Sequence, residues 1–287
     1  MALHSVETVL RPSTLEEAWE EEAKRGESAR FLAGGIDVVL YTPPTVTTLI
    51  DLGGLDLGFV RADEGALEIG ATASMTQIIE AAAVGGYLGG FLGTALRNVA
   101  SPLQRNAATL GGTIAMAHPW SDVIPALLVL DAEVILFDGG ERTVSLEAFL
   151  GERGTGRESH PLICGIRLPA ATEGAGGAYR SLTRTAFDVS LLNAACVGSI
   201  DGGSWQDVRL AIGGTPALAR RVRGVEETIA GADVREEAIA EAAAAAAAAI
   251  DARDDLRASA EYRRELAAVL VRRCLSEVAG TSEGRAA

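Results

Sequence analysis

Lysine is almost missing from this 287-residue chain: Lys24 stands alone, and arginine supplies the rest of the positive charge. With 25 basic against 39 acidic residues the formal net charge is −14. That balance excludes the broad basic face that nucleic-acid phosphates require, and it works against an anionic membrane surface. Cysteine is sparse too. Cys164, Cys196 and Cys274 lie far apart in apolar stretches, the pattern of buried free thiols in a reducing compartment. No CxxC occurs, so an iron–sulfur cluster finds no ligand set of usual spacing here. His4, His118 and His160 form no HxH or HxxxH pair, so no metal site is expected. Long apolar runs are also missing. The longest uncharged aliphatic stretch, 81–96, is broken by glycine and is shorter than the roughly 20 residues of a spanning helix. The opening MALHSVETVLRPST has no basic segment before an apolar core, so no signal peptide is expected, and a soluble cytoplasmic protein is.

What is present is aliphatic and glycine-rich: 48% hydrophobic residues, 5% aromatic and 33 glycines, enough chain for two domains and many close backbone approaches. Ser13 caps an expected helix over LEEAWEEEAKR, with acids in its first turn and Lys24 and Arg25 in its last. Strands are expected at 29–32, 48–52, 66–71, 132–137 and 162–168, with helices at 74–83 and 123–130, Ser74 capping the first of these. Gly139–Gly140 reads as a turn between strands. Beyond a small-residue linker at 170–177, strands at 178–185, 191–200 and 208–212 alternate as an antiparallel sheet. Helices at 216–230, 234–250 and 259–279 follow, the second through an alanine run that favours helix. In the last helix Tyr262, Leu266, Val269, Leu270, Cys274 and Val278 fall near one apolar stripe, which makes Tyr262 a packing residue. The layout is α+β in two domains.

The chemistry concentrates in 97–134, RNVASPLQRNAATLGGTIAMAHPWSDVIPALLVLDAEV, which carries no charge from Asn106 to Ser121. Small residues there allow close approach to a large phosphate-bearing cofactor, and Gly111–Gly112 argues for loop rather than helix. Thr109-Leu110-Gly111-Gly112-Thr113 pairs with a second glycine turn, Ala33-Gly34-Gly35-Ile36-Asp37, at a strand end. Each reads either as a tight turn or as a nest of N–H groups around phosphate oxygens, and two such turns fit the two sides of a diphosphate. The Rossmann G-x-G-x-x-G is absent. Asp122 reads either as an acceptor for cofactor hydroxyls or, with Ser121, as the cap of the helix from Val123. His118 reads as a loop residue rather than a general base, and Arg97, Arg105 and Asn106 as braces of the loop.

These residues resemble the FAD-binding medium subunits of the molybdenum hydroxylases, the group of xanthine dehydrogenase and carbon monoxide dehydrogenase. FLAGGID and SPLQRNAATLGGTIA are similar to its two flavin loops, HPWSDVIPALLVLDAEV to the helix and strand that follow. AIGGTPALARRVRGVEETIAG and EYRRELAAVLVRRCL are similar to its C-terminal domain. The resemblance implies a two-lobed PCMH-type FAD-binding domain over 1–172, with lobes dividing near 55–60 and the cofactor between them. A C-terminal domain of the CO dehydrogenase flavoprotein type follows over 176–287, a three-stranded antiparallel sheet with a helical bundle. It implies non-covalent FAD, its diphosphate held by backbone N–H groups of 33–37 and 109–113, with Asp122 on a flavin-nucleotide hydroxyl, Ile163 near the flavin ring and Arg180 as a further contact. It also implies partners: a large molybdenum–pterin subunit and a small subunit with [2Fe–2S] clusters, which pass electrons to FAD here and then to an external acceptor. No residue of this chain need act as acid, base or nucleophile. The chain departs from the family at Ile36, where a polar residue is frequent, at Thr113, where Asn is, and at Ser181 and Thr185, where basic residues are. Two other readings stay open: a stand-alone two-lobed flavin oxidase or dehydrogenase with His118 as its candidate flavin attachment, and a flavin-free assembly or scaffold protein.

Overall fold

The computed structural model of the chain describes residues 3–152 and 161–280, and His160 lies outside the described residues. The chain divides into two units, each assembled from separate stretches. Met1–Ala81, Ser101–Met116 and Ala132–Leu168 form the first, and Ala82–Ala100, Ala117–Asp131 and Pro169–Ala287 the second.

In the first unit, strands β1 (Thr8–Leu10), β2 (Ala29–Leu32) and β3 (Thr48–Asp51) form a parallel sheet in the order β1-β3-β2. Helix Leu15–Arg25 connects β1 to β2. Its N-cap is Thr14, not Ser13: the Thr14 hydroxyl accepts from the Glu17 N–H at 3.1 Å, while Ser13 donates its own N–H and hydroxyl to the Glu17 carboxylate. Ala18 on this helix packs into a core with Ala29, Ile50 and Leu52, and Trp19 meets Phe137 edge to face, ring centroids 6.4 Å apart. Strands β4 (Val60–Asp63), β5 (Ala66–Gly70), β6 (Glu133–Phe137), β7 (Glu141–Ser145) and β8 (Leu162–Leu168) form an antiparallel sheet in the order β4-β5-β8-β6-β7. Ser74 caps Met75–Glu80 in a full capping box with Gln77, and the extended backbone at Ala81 stops that helix short of the expected Ala83.

Two short helices stand where the glycine turns suggest loop: Ile36–Tyr41 and Leu110–Met116. At the second, packing outweighs propensity. A Cβ at Gly111 would sit 2.7 Å from the Ala71 Cβ and 2.9 Å from its carbonyl oxygen, so glycine lets the helix start hard against Ala71.

In the second unit, β9 (Gly176–Leu182), β10 (Leu192–Asp201), β11 (Ser204–Gly213) and a two-residue β12 (Arg220–Arg221) form an antiparallel sheet in the order β12-β11-β10-β9, one short edge strand more than the three expected. Helices Arg223–Ile229, Glu236–Ala249 and Ala260–Val278 pack on Leu192, Ala194, Cys196, Leu210 and Ile212 of the sheet. Strand alternation places Asn193, Ala195, Ala211 and Gly213 on the opposite face. Helix Val123–Val129, buried at all seven positions, packs on β10 and β11. Because both faces are covered, Leu192–Gly198 is buried throughout instead of alternating. The inner stripe of the last helix runs through Arg263, Ala267, Leu270, Val271, Cys274 and Leu275, and Tyr262 and Val269 face outward at 42% and 44% exposure, so Tyr262 is not a core residue. All three cysteines are buried and free. Burial pushes the Cys164 and Cys274 thiols up to about 12.

Arg263 is wholly buried, and four of its five N–H donors bond to chain atoms: Nε donates to Leu191 O at 3.2 Å, Nη1 to Arg253 O and Ala258 O at 2.6 and 2.8 Å, and Nη2 to Asp255 Oδ1 at 2.8 Å. Burial works to raise the Asp255 pKa. Hydrogen bonds from Arg263 and from the Arg257 and Ala258 N–H groups outweigh it and hold the carboxyl well below the usual carboxylate range. Arg263→Met keeps bulk but strands these acceptors, an expected loss of about 3–5 kcal/mol in urea unfolding. A lowered folded-state pKa stabilises above the ordinary carboxylate value and is lost as pH falls through the folded one. The variant forfeits part of that term, so its acid unfolding begins at a higher pH than that of the parent chain.

Candidate functional site

The first glycine turn follows β2 directly. Gly35 takes φ +77° at the N-cap of Ile36–Tyr41, a left-handed conformation that favours glycine. Gly34 lies against a distant stretch of the first unit: a Cβ there would fall 1.7 Å from the Ala107 carbonyl oxygen and 3.2 Å from Cγ2 of Thr109. The two glycine motifs, more than 70 residues apart in sequence, are therefore brought side by side. Among the described residues, no backbone carbonyl accepts from the N–H groups of Gly34, Gly35 or Ile36. Asp37 stands in the first turn of the short helix. Successive unengaged N–H groups at a glycine turn are the elements of an anion nest.

The second motif is built differently from the expected nest. Leu110 N–H donates to Ala73 O at 3.1 Å, Gly111 N–H to Ala71 O at 2.8 Å, and Thr113 N–H and hydroxyl both to Thr109 O at 3.0 Å. Gly112 N–H reaches the Thr109 hydroxyl at 3.3 Å. Four N–H groups of 110–113 are thus engaged within the protein, because this stretch is the first turn of a helix docked on 71–73. What the second motif contributes to the Gly34 turn is Thr109, whose Cγ2 lies beside Gly34 next to the Ala107 carbonyl.

Asp122 belongs to the second unit and is 7% exposed. It occupies the N-cap position of Val123–Val129, yet its side chain makes no capping bond; Ser121 does, accepting from the Ile124 N–H at 3.4 Å. Oδ1 of Asp122 instead accepts three hydrogen bonds: from the Tyr179 hydroxyl at 2.5 Å, the Ser190 hydroxyl at 2.5 Å and Nδ2 of Asn193 at 3.0 Å. Among the described residues, Oδ2 accepts none. Burial raises the Asp122 pKa and the three donors pull it back, leaving a net upward shift. Burial, with the Asp122 charge alongside, likewise pushes the Tyr179 hydroxyl well above its ordinary value. A buried carboxylate with one oxygen saturated and the other bare suits a hydroxyl-bearing ligand. Tyr179, Ser190 and Asn193 escape the sequence reading. Asn193 leaves a trace there as the one polar residue in the apolar run LLNAACV.

The remaining candidates are placed as follows. Ile163 is a buried β8 residue opposite Leu136. Arg180 on β9 donates to Tyr179 O at 2.9 Å and pairs with Glu277 at 2.5 Å. His118 stacks on Trp120 at 4.7 Å between ring centroids with an 8° interplanar angle, and the Arg257 guanidinium lies 5.2 Å from the Trp120 ring centre. Asn106 accepts from the Thr76 hydroxyl at 2.7 Å, and Arg97 and Arg105 have partners of their own. No described helix is long and apolar enough to cross a membrane.

Comparison with known proteins supplies the family. Residues 4–171 match the model of the FAD binding domain in molybdopterin dehydrogenase, and residues 177–278 match that of the CO dehydrogenase flavoprotein C-terminal domain. The carbon monoxide dehydrogenase medium chain of Hydrogenophaga pseudoflava is 30% identical over 273 residues, covering 92% of this chain and 94% of that one. The nicotine 6-hydroxylase medium subunit of Paenarthrobacter nicotinovorans is 29% identical, covering 93% of this chain and 95% of its own length. Among solved structures, carbon monoxide dehydrogenase from Hydrogenophaga pseudoflava superposes with a TM-score of 0.88 at 29% identity, over 95% of this chain and 97% of that one. The α+β fold and the order of the two domain types agree with this likeness. The chain belongs to the family of FAD-binding medium subunits of the molybdenum hydroxylases, and is a flavoprotein oxidoreductase subunit of the xanthine and CO dehydrogenase type.

Proposed function

We propose that this chain holds FAD non-covalently and relays electrons from the [2Fe–2S] clusters of a small partner subunit to an external acceptor, in an assembly whose large subunit carries the molybdenum–pterin site. The observation that carries the reading is the Gly34 turn. It is seated against Ala107 and Thr109 so closely that no side chain fits, and its neighbouring N–H groups are left without backbone acceptors. FAD, when bound, supplies the redox chemistry through its isoalloxazine ring. The chain's residues bind and orient. Ala33, Gly34, Gly35, Ile36 and Asp37 offer the nest for diphosphate oxygens; Thr109 lies against it, and Leu110, Gly111, Gly112 and Thr113 follow in the docked helix. Asp122 offers Oδ2 to a hydroxyl of the flavin nucleotide. Ile163 and Arg180 remain candidates for flavin contacts, Arg180 only if its Glu277 pair yields. The proposed domain plan keeps 1–172 as the FAD-binding part, its lobes dividing near 55–60, and 176–287 as the C-terminal part; the matches at 4–171 and 177–278 support it. A soluble cytoplasmic heterotrimer is the assembly proposed.

The purified full-length chain, or the apoprotein with FAD added, is expected to show a flavin visible spectrum, and acid precipitation should release the yellow chromophore into the supernatant. Colour that stays in the pellet would favour the stand-alone flavoenzyme with an attached flavin, and absence of any binding of added FAD the scaffold reading. Gly34→Ala drives a Cβ into the Ala107 carbonyl and should abolish FAD retention in the same assay.

Asp122→Asn keeps an oxygen for Tyr179, Ser190 and Asn193 but replaces the bare Oδ2 with a donor. FAD affinity, measured by fluorescence titration, should fall roughly 10- to 100-fold, the loss expected for a hydrogen bond to a charged acceptor. Stability should move the other way. The folded protein binds the Asp122 proton more tightly than the unfolded chain does, so ionisation costs stability as pH rises from about 4 through the raised value. The stability advantage of the Asn variant should therefore grow with pH over that window in urea titrations.

A further inference from the structure

In the C-terminal motif AIGGT, 211–215, Gly214 bonds to the Asp122 loop directly, and Gly213 makes room for Asn193, which also bonds to it. Gly214 takes φ +81° and donates its N–H to Pro119 O at 2.8 Å; a Cβ there would lie 2.7 Å from the Leu192 Cα. Gly213 leaves space for Asn193, since a Cβ at Gly213 would fall 2.5 Å from Asn193 Oδ1. Asn193 is wholly buried and uses both protons of its amide nitrogen on the loop, donating to Ser121 O at 3.1 Å and Asp122 Oδ1 at 3.0 Å. The loop 117–122 is thus gripped at three positions, 119, 121 and 122, by Asn193 on β10 and by Gly214 just past the end of β11. With Oδ1 engaged by three donors the carboxylate rotamer is determined, and so is the direction of Oδ2.

We propose that Asn193, Gly213 and Gly214 are positioning residues for the cofactor: they aim the bare oxygen of Asp122, so the C-terminal sheet, not the FAD-binding sequence alone, sets part of the flavin affinity. This rests on the reading of Asp122 as a flavin ligand. Asn193 acts through Asp122, and Gly213 acts through Asn193 by leaving it room. The two should therefore be energetically coupled, as contacting residues that serve one function are.

The test is a double-mutant cycle on the full-length chain, with FAD titrated by fluorescence and folding checked by circular dichroism. Asn193→Ala and Gly213→Ala should each raise the FAD Kd about tenfold, the scale of one hydrogen bond to a charged group. The double variant should be no worse than Asn193→Ala, because the displaced side chain is gone. Full additivity would overturn the proposal, since Gly213→Ala would then act through Ala219 or Pro125, which its Cβ would approach to 3.1 and 3.4 Å. Should Gly213→Ala not fold, Asn193→Ala and Tyr179→Phe carry the test: each removes one donor to Oδ1 and must raise the Kd. An unchanged Kd in both, while Asp122→Asn binds FAD weakly, would sink the aiming role alone. An unchanged Kd in Asp122→Asn would sink the ligand reading and the aiming role together.

Discussion

A carboxylate taken out of water must be met by donors, and in the second unit that requirement organises the surroundings of Asp122. An unpaired buried charge costs several kcal/mol. Here three donors from two places meet it: Tyr179 on β9, and Ser190 and Asn193 at and just before the start of β10. Each donor sets a further condition. Asn193 in the middle of an apolar sheet needs glycine at 213. Ser190 needs its segment held, and the neighbouring Leu191 carbonyl is tied to the buried Arg263. A segment that by sequence belongs with the FAD-binding part, 117–131, accordingly packs with the C-terminal sheet.

Close approach of backbone to backbone is the second constraint, and it acts through glycine. Gly34 admits the Ala107 carbonyl, Gly111 admits Ala71, and Gly214 supplies a positive φ where Pro119 must be held. Any side chain at these points forces neighbours apart, and the interior is too densely packed to absorb that. The two motifs thus divide the work unevenly. Among the described residues the N–H groups of Gly34, Gly35 and Ile36 have no backbone acceptor, while 110–113 spends its own on docking a helix.

Much of this was legible in the chain of letters. Apolar periodicity located β8 and the long helices to within a residue or two, and Ser74 was a correct cap because its partner Gln77 stands three residues on. One departure is local: Thr14 caps instead of Ser13, which donates to the Glu17 carboxylate four residues on. In the others a neighbour distant in sequence decides. Leu110–Met116 is helix despite paired glycines because Ala71 presses against it. Tyr262 faces outward because the core of the last helix is set one residue further on, where the buried Arg263 must reach Leu191, Arg253, Ala258 and Asp255.

By itself the sequence determined the acidic charge balance, the absence of any metal-ligand spacing, the longer secondary elements and, through its motifs, the family and its cofactor. These are local or compositional properties, carried by each residue wherever the chain goes. Only the tertiary structure decided that two glycine turns lie side by side, that among the described residues N–H groups of one lack backbone acceptors while those of the other are spent on docking, and that Asp122 has one saturated oxygen and one bare. Hydrogen-bond donors and packing surfaces are shared among residues far apart in sequence. Their allocation exists only once the chain has closed on itself.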